Sequence, residues 1–345
     1  MVIHELLSLL VAGETLSEPQ SESLFESLLG GALDPAQIGA ALALIQSRGV
    51  TVDELTGAAR VMRRHVTPVQ APAGLAIVDT CGTGGAPKTF NISTAAAIIA
   101  AAAGRQPDVA QPIAVAKHGN RSRTGRGSAE ILQSLGIHID ATPETQARCL
   151  AETGVCFCFA IHHHPAMRHA AGPRKALGVP TAFNLLGPLT NPARATRQLI
   201  GVYDASRLRV VAETLARLGA EHAWVARGDD GLDELTTTTT SRVAEVRDGA
   251  VTEQTIDPES LGIQPAELHD LRADDLDHAK RIIHGVLRGE ASAALEIALL
   301  NAAAALHVGG AAADLAEGLA RARAAAQSGA AAKLLESLAR VSHAG

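Results

Sequence analysis

Two glycine-punctuated loops carry the residue types that hold anions. The first runs Asp79-Thr80-Cys81-Gly82-Thr83-Gly84-Gly85-Ala86-Pro87-Lys88-Thr89-Phe90-Asn91-Ile92-Ser93-Thr94, after a short apolar run from Leu75 and ahead of the Ala95–Ala103 stretch. Glycines let a backbone turn tightly and bring N–H groups to an anion without Cβ obstruction. Asn91, Ser93 and Thr94 stand where a helix would begin, and its unpaired N–H groups and dipole favour phosphate. A plain strand-to-helix turn with a Ser/Thr cap is the competing reading of this loop taken alone. Gly82-Thr83-Gly84-Gly85 does not fit the G-x-G-x-x-G spacing of a dinucleotide site, and the loop lacks the G-K-[ST] ending of a P-loop. The second loop, Lys117-His118-Gly119-Asn120-Arg121-Ser122-Arg123-Thr124-Gly125-Arg126-Gly127-Ser128, places Lys117, Arg121, Arg123 and Arg126 within ten residues. A charged loop is usually a solvated face. Its position at a strand's end, before a helix capped by Ser128, instead matches where α/β sheets bind ligands. Two such loops after two strands predict a ligand with more than one phosphate.

The elements that must position these loops can be read from caps and periodicity. Leu6, Leu7, Leu9, Leu10 and Val11 form an apolar stripe ending at Gly13. Ser17-Glu18-Pro19-Gln20 and Thr51-Val52-Asp53-Glu54 are capping-box patterns, and Asp34-Pro35 puts an N-cap before a proline at the first helical position. Four short helices are therefore predicted in residues 1–66. Residues 67–74, with Pro68, Pro72 and Gly74, read as a linker, and residues 75–345 as one larger domain. That domain alternates strand candidates (Leu75–Asp79, Pro112–Lys117, Val155–Ile161, Gln198–Tyr203, Ala223–Ala226) with helical stretches. The alternation predicts an α/β fold with a mostly parallel sheet flanked by helices. Val243–Val246, Asp248-Gly249 and Val251–Ile256 read as an appended hairpin. The Ala/Leu-rich tail from Ala291 reads as helical.

Composition narrows the classes. In 345 residues there are 30 Lys+Arg against 36 Asp+Glu, a net charge of −6, with 47% hydrophobic residues, so a sizeable core is available. Five Phe, one Tyr and one Trp leave little for base stacking, and the acidic balance disfavours nucleic acid or an anionic membrane as partner. The start MVIHELLSLL lacks a cationic n-region, no apolar run reaches a membrane span, and four scattered Cys do not form a disulfide framework. A cytoplasmic protein is expected. His162-His163-His164 beside Cys156 and Cys158 invites a zinc reading. Contiguous His cannot all face one ion, however, and Cys156-Phe157-Cys158-Phe159 alternates as a half-buried strand does.

Taken together, these segments resemble the anthranilate phosphoribosyltransferase family. The matching motifs are Gly82-Thr83-Gly84-Gly85, Thr89 to Thr94, Lys117-His118-Gly119-Asn120-Arg121-Ser122, Gly127-Ser128-Ala129-Glu130, His164-Pro165-Ala166-Met167-Arg168, Arg174-Lys175-Ala176-Leu177-Gly178, Phe183 to Pro192, and Asp233-Glu234. They occur in one order over nearly the whole chain. The resemblance implies the nucleoside phosphorylase/phosphoribosyltransferase-like fold, with part of residues 165–190 packing on the helical domain. It also implies a homodimer joined through that domain, Mg²⁺ (two ions), and transfer of phosphoribosyl from 5-phosphoribosyl 1-diphosphate to anthranilate.

Carried over by residue, Gly82, Gly85, Ala86, Thr89, Asn91, Ile92, Ser93, Thr94, Lys117, Asn120, Gly125 and Ser128 would hold the donor. Gly82, His118, Asn120, His164, Arg174 and Pro188 would surround anthranilate, the Arg174 guanidinium matching its carboxylate. Ser93, Asp233 and Glu234 would hold metal, since hard oxygen ligands suit Mg²⁺. Lys117 and Glu234 would be catalytic. The chain departs from the family at Ala86, where an Asp usually stands, in loops one residue shorter before Thr89 and before Ser128, and at Thr239-Thr240 in place of Gly-Pro. Two rivals remain at this level: a related transferase or nucleoside phosphorylase with another acceptor, and a non-catalytic nucleic-acid-binding relative.

Overall fold

The computed structural model describes residues 2–85, 87, 89–122 and 125–344. Its first helices are α1 (Ile3–Val11), α2 (Glu18–Leu29), α3 (Pro35–Arg48) and α4 (Val52–Arg64), and α2, α3 and α4 begin where their caps predict. The Ser17 amide donates to Gln20 Oε1 at 2.8 Å, Asp34 N to Gln37 Oε1 at 3.0 Å, and Thr51 N to Glu54 Oε2 at 3.0 Å. Each bond closes an N–H that the helix itself leaves open.

The larger body is built on a seven-stranded sheet, β1 (Ala76–Gly82), β2 (Ile113–Gly119), β3 (Val155–Phe159), β4 (Arg197–Gly201), β5 (His222–Gly228), β6 (Ser241–Arg247) and β7 (Ala250–Ile256), in the order β3-β2-β1-β4-β5-β6-β7. β1 to β5 pair in parallel, and β6–β7 is the antiparallel hairpin. With few aromatic residues, the core relies on close approach of small ones. The Ala-rich helix α5 (Ile92–Ala103) and the helix Ala293–Gly309 pack together in one cluster with β1 and β2. The opposite sheet face joins α1–α4 through the helix Arg207–Arg217 in a second cluster. Ala170 and Phe183 belong to that second cluster, and the Phe183 ring meets Phe25 edge-on with centroids 5.7 Å apart. Arg63 of α4 donates to the Leu189 carbonyl at 2.8 Å and the Leu218 carbonyl at 3.1 Å, tying the bundle to the sheet body.

Strand bounds need correction: β2 runs Ile113–Gly119 rather than Pro112–Lys117, β3 stops at Phe159 rather than Ile161 because Ala160–His163 turns helical, and β4 is Arg197–Gly201 rather than Gln198–Tyr203. β1 runs to Gly82 rather than ending at Asp79, because β4 pairs with it as far as Gly82↔Gly201. β3 is buried along its whole length rather than half-buried, because helices such as Pro143–Thr153 cover it and both Cys156 and Phe157 lie inside.

Within the bundle, Glu54 is 1% exposed and is the hub of its polar contacts. It accepts from Leu16 N at 3.0 Å, and Arg48 Nη1 donates to its Oε2 at 3.0 Å. Burial alone would raise its pKa, but Arg48 and the Leu16 and Thr51 amides prevail and hold it below the usual carboxylate value. A depressed folded value means stability that is complete above the unfolded pKa and lost as pH falls through the folded one. Glu54→Ala should cost about 3–5 kcal/mol in urea unfolding at neutral pH, by stranding Arg48. The deficit against wild type should shrink as pH drops below 4.5, the ordinary value. A deficit independent of pH would contradict this account.

Candidate active site

From β1 the chain moves outward to β2 and β3, then returns to lay β4 on β1's other side. Open α/β sheets bind ligands at such a reversal, beyond the carboxyl ends of the strands. Here those ends are Gly82 and Gly201, side by side. A Cβ on Gly82 would stand 2.7 Å from Asp233 Oδ2, and one on Gly201 would overlap the Asp233 carbonyl. The two glycines therefore let the segment after β5 drop Asp233-Glu234 into the crevice. That segment is fixed from behind. Asp230 Oδ2 accepts from Thr236 Oγ1 at 2.6 Å and Thr238 Oγ1 at 2.5 Å. Asn301 Oδ1 accepts from Leu235 N at 3.0 Å, while its Nδ2 donates to Leu235 O at 2.8 Å. The threonine run is thus a structural clasp.

Lys117, at the end of β2, donates from Nζ to the Thr80 carbonyl at 2.6 Å and to Ser93 Oγ at 3.1 Å. Ser93 N, in the first turn of α5, donates to Glu234 Oε1 at 3.2 Å. Three sequence positions far apart thus meet in one short chain of contacts. Burial pulls the Lys117 pKa down, and the nearby carboxylates of Asp79, Glu234 and Asp233 oppose that. Burial pushes Asp233 up, and burial together with the Asp233 charge pushes Glu234 up to about 8. Two carboxylates and a hydroxyl form an all-oxygen set short of positive charge, which is the donor chemistry that fits Mg²⁺.

Asn91, with φ of 68°, ends the glycine loop, and its Nδ2 donates to the Arg126 carbonyl at 3.1 Å, linking the first loop to the second. Asn91 Oδ1 and Thr94 Oγ1 are buried without a partner among the described residues, leaving polar capacity at the helix start. Ile92 points into the core, so only its backbone could face a ligand. Thr89 is half-buried, and Gly85, with φ of 101°, lies against the Tyr203 ring. In the second loop Asn120 is exposed, Ser128 Oγ donates to the Asn120 carbonyl at 3.3 Å, and Gly125 takes φ of 70°. The three described cations of this loop do not act as one patch. Lys117 faces Ser93, the Arg121 guanidinium lies 5.6 Å over the Phe159 ring, and Arg126 donates to the Ala273 carbonyl. Ala86 and Arg123 lie outside the described residues.

The remaining candidates gather on the bundle side. His118 Nδ1 meets the Gly187 carbonyl at 3.0 Å, and its Nε2 lies 3.2 Å from His164 Nε2. Burial drives His118 down to about 4 and His164 to about 3, so both rings are neutral near pH 7. His164 also lines a crevice with Leu29, Met62, His65, Ala166 and Met167, at the junction of the bundle and the sheet body. The Arg174 guanidinium lies 5.0 Å over the Phe183 ring. Pro188 is buried, its carbonyl accepting from Gln198 Nε2 at 2.8 Å. The segment from Phe183 to Pro188 therefore carries a contact to Arg174 at one end and to His118 near the other.

Known proteins share this architecture and its length. Residues 4–66 match the model of the glycosyl transferase family helical bundle domain, and residues 74–332 that of the family's a/b domain. The chain is 43% identical to the anthranilate phosphoribosyltransferase of Syntrophotalea carbinolica, covering 95% of each chain. With that of Thioalkalivibrio sulfidiphilus the identity is 47%, over 91% of this chain and 90% of the relative. The chain belongs to the anthranilate phosphoribosyltransferase family. The crystal structure of the Thermus thermophilus enzyme superposes with a TM-score of 0.90 at 36% identity, covering 98% of this chain and 99% of that one. The Saccharomyces cerevisiae enzyme, solved in complex with PRPP and Mg, shares the fold with a TM-score of 0.86 at 24% identity, over 99% and 97% of the two chains.

Against that family's motifs, the residues that sequence reasoning missed are those that shape the crevice rather than line it. Gly201, Asp230, Asn301 and Tyr203 belong to this group, and only Gly201, a glycine within the strand candidate Gln198–Tyr203, carried a local signal. Gly201→Ala should keep the fold yet displace Asp233. A shift near 1 Å at a reacting centre costs roughly 10²-fold, so kcat/KM should fall by at least that factor, and the unfolding midpoint should drop because buried backbone must give way. Wild-type kcat/KM in a folded variant would refute the placement of the carboxylate couple.

Proposed function

We propose that this chain transfers the 5-phosphoribosyl group from 5-phosphoribosyl 1-diphosphate to anthranilate at the β1/β4 crevice, releasing diphosphate, in the synthesis of tryptophan. The contact chain Lys117–Ser93–Glu234 carries the reading, because it unites both anion-binding loops with the acidic pair. Gly82, Gly85, Ala86, Thr89, Asn91, Ile92 and Thr94 supply loop amides and hydroxyls to the diphosphate and ribose, while Asn120, Gly125 and Ser128 cover the donor's other phosphate. Ser93, Asp233 and Glu234 would hold magnesium. Two ions suit the pair better than one, since Asp233 Oδ2 points toward Gly82 while Glu234 Oε1 meets Ser93 N. Bound there, magnesium would neutralise charge on the diphosphate as it departs.

The chemistry asks little of a base. The aromatic amine of anthranilate is neutral near pH 7, so its nitrogen can bond to C1′ as the C1′–O bond to diphosphate breaks, the surplus proton passing to solvent. Lys117 stabilises the leaving oxygens by a charge already in place. Arg174 holds the acceptor's carboxylate, with Gly82, Asn120, Pro188 and the neutral His118 and His164 around the ring. Closure of α1–α4 over the crevice would exclude water, the competing nucleophile. We read the working unit as a cytoplasmic homodimer joined through the bundle. Val2 and Val11 at the ends of α1, exposed at 61% and 72%, favour a covered surface there, and four buried free cysteines suit a reducing compartment.

Loss of anthranilate fluorescence should require donor, Mg²⁺ and enzyme together, and persistence of the signal loss without donor or without metal would overturn the reading. An acceptor panel in the same assay should show anthranilate used far above pyrimidines. Arg174→Ala should raise the KM for anthranilate about ten- to a hundredfold, the value of one charge-assisted contact, while the donor KM stays within a factor of about three. Glu234→Ala should remove most magnesium-dependent turnover, and near-wild-type rates would remove it from the metal set.

A further inference from the structure

We propose that His222, Glu245 and His307 form a second metal centre, for zinc or a similar borderline transition ion, at the opposite end of the sheet from Asp233-Glu234. His222 opens β5, Glu245 lies on β6 in register with Trp224, and His307 closes the last turn of the helix Ala293–Gly309. One ligand atom from each lies within 4.8 Å of the other two, the only such triad of His, Cys, Asp or Glu among the described residues. Tetrahedral zinc with bonds near 2.0–2.1 Å places its ligands about 3.4 Å apart, so the His222–Glu245 pair at 2.7 Å must open while the wider separations close, which side-chain rotation can supply. The surrounding contacts are of the kind that orient ligands. Gln254 Nε2 donates to Glu245 Oε2 at 3.1 Å, leaving Oε1, which is 2.7 Å from His222 Nε2. His307 Nδ1 faces the Ala312 carbonyl at 3.4 Å, which leaves Nε2 for an ion. The Trp224 ring supports His307 edge-on at 5.3 Å.

Two imidazoles and one carboxylate are the zinc donor set, whereas Mg²⁺ prefers oxygen throughout, so this centre and the acidic pair would sort different metals. His222 is buried, while Glu245 and His307 are half-buried, which leaves an ion a way in and a position for water. At about 3.3 Å per residue, the length of β5 separates His222 from the crevice end by roughly 20 Å, so the ion would brace β5, β6 and the Ala293–Gly309 helix rather than touch substrate.

Equilibrium dialysis against Zn²⁺ in saturating Mg²⁺, with metal content read by mass spectrometry, tests the proposal on the full chain. Wild type should retain one zinc per chain and gain in Tm with zinc, because the ion binds only the folded form. His307→Gln and Glu245→Gln should each lower zinc affinity at least tenfold while keeping wild-type transfer rates, which also reports that they fold. Asp233→Asn should bind zinc as wild type does. Cobalt substitution should give the visible bands of a four-coordinate ion in wild type and lose them in His307→Gln. No retained zinc in wild type, unchanged affinity in both Gln variants, or zinc lost only in Asp233→Asn would overturn it.

Discussion

Two carboxylates buried side by side repel one another and forgo hydration, so one of them holds a proton unless a cation joins them. In this chain the pair is Asp233-Glu234, and the nearest fixed positive charge is Lys117, itself buried and bonded to Thr80 and Ser93. With Glu234 pushed up to about 8, the pair holds a proton near pH 7. A polyphosphate sugar carrying divalent ions can replace that proton with a cation and bring the anions that the loop amides await. The strained electrostatics of the crevice and its affinity for substrate are thus two aspects of one arrangement.

Much of the fold serves to keep that arrangement in place. Gly82 and Gly201 must be paired and bare for the acidic segment to approach, which requires β1 and β4 to be neighbours in the correct register. Asp230 and Asn301 fix the segment from behind, and Asn301 sits on a helix whose alanines let it pack closely on α5. α5 in turn presents Ser93 at its first turn. The small residues of this core are consistent with the need to bring backbones near one another at the crevice.

What could be read in the chain's residues was local. Capping boxes place α2, α3 and α4 because Ser17, Asp34 and Thr51 bond to groups only three residues away. The glycine loop and the lysine–arginine loop were visible because anion binding needs amides and cations close together in sequence. Register was not legible. Nothing near Gly201 says that it lies beside Gly82, and nothing near Arg126 says that its guanidinium goes to the Ala273 carbonyl rather than to a ligand. The alternation of Cys156-Phe157-Cys158-Phe159 suggested one wet face, since period two cannot reveal helices that cover both sides. The His222, Glu245 and His307 cluster escaped for the same reason, because its members come from three separate elements.

The central claim is that donor and divalent cation complete one charge-deficient crevice, so each should strengthen the binding of the other by the same factor. Calorimetric titration of 5-phosphoribosyl 1-diphosphate into the protein, with and without Mg²⁺, measures this directly. The donor should bind at least tenfold tighter with Mg²⁺ in wild type, and that gain should vanish in the double variant Asp233→Asn, Glu234→Gln. A donor affinity indifferent to Mg²⁺ in wild type, or a gain that persists without the two carboxylates, would contradict the account.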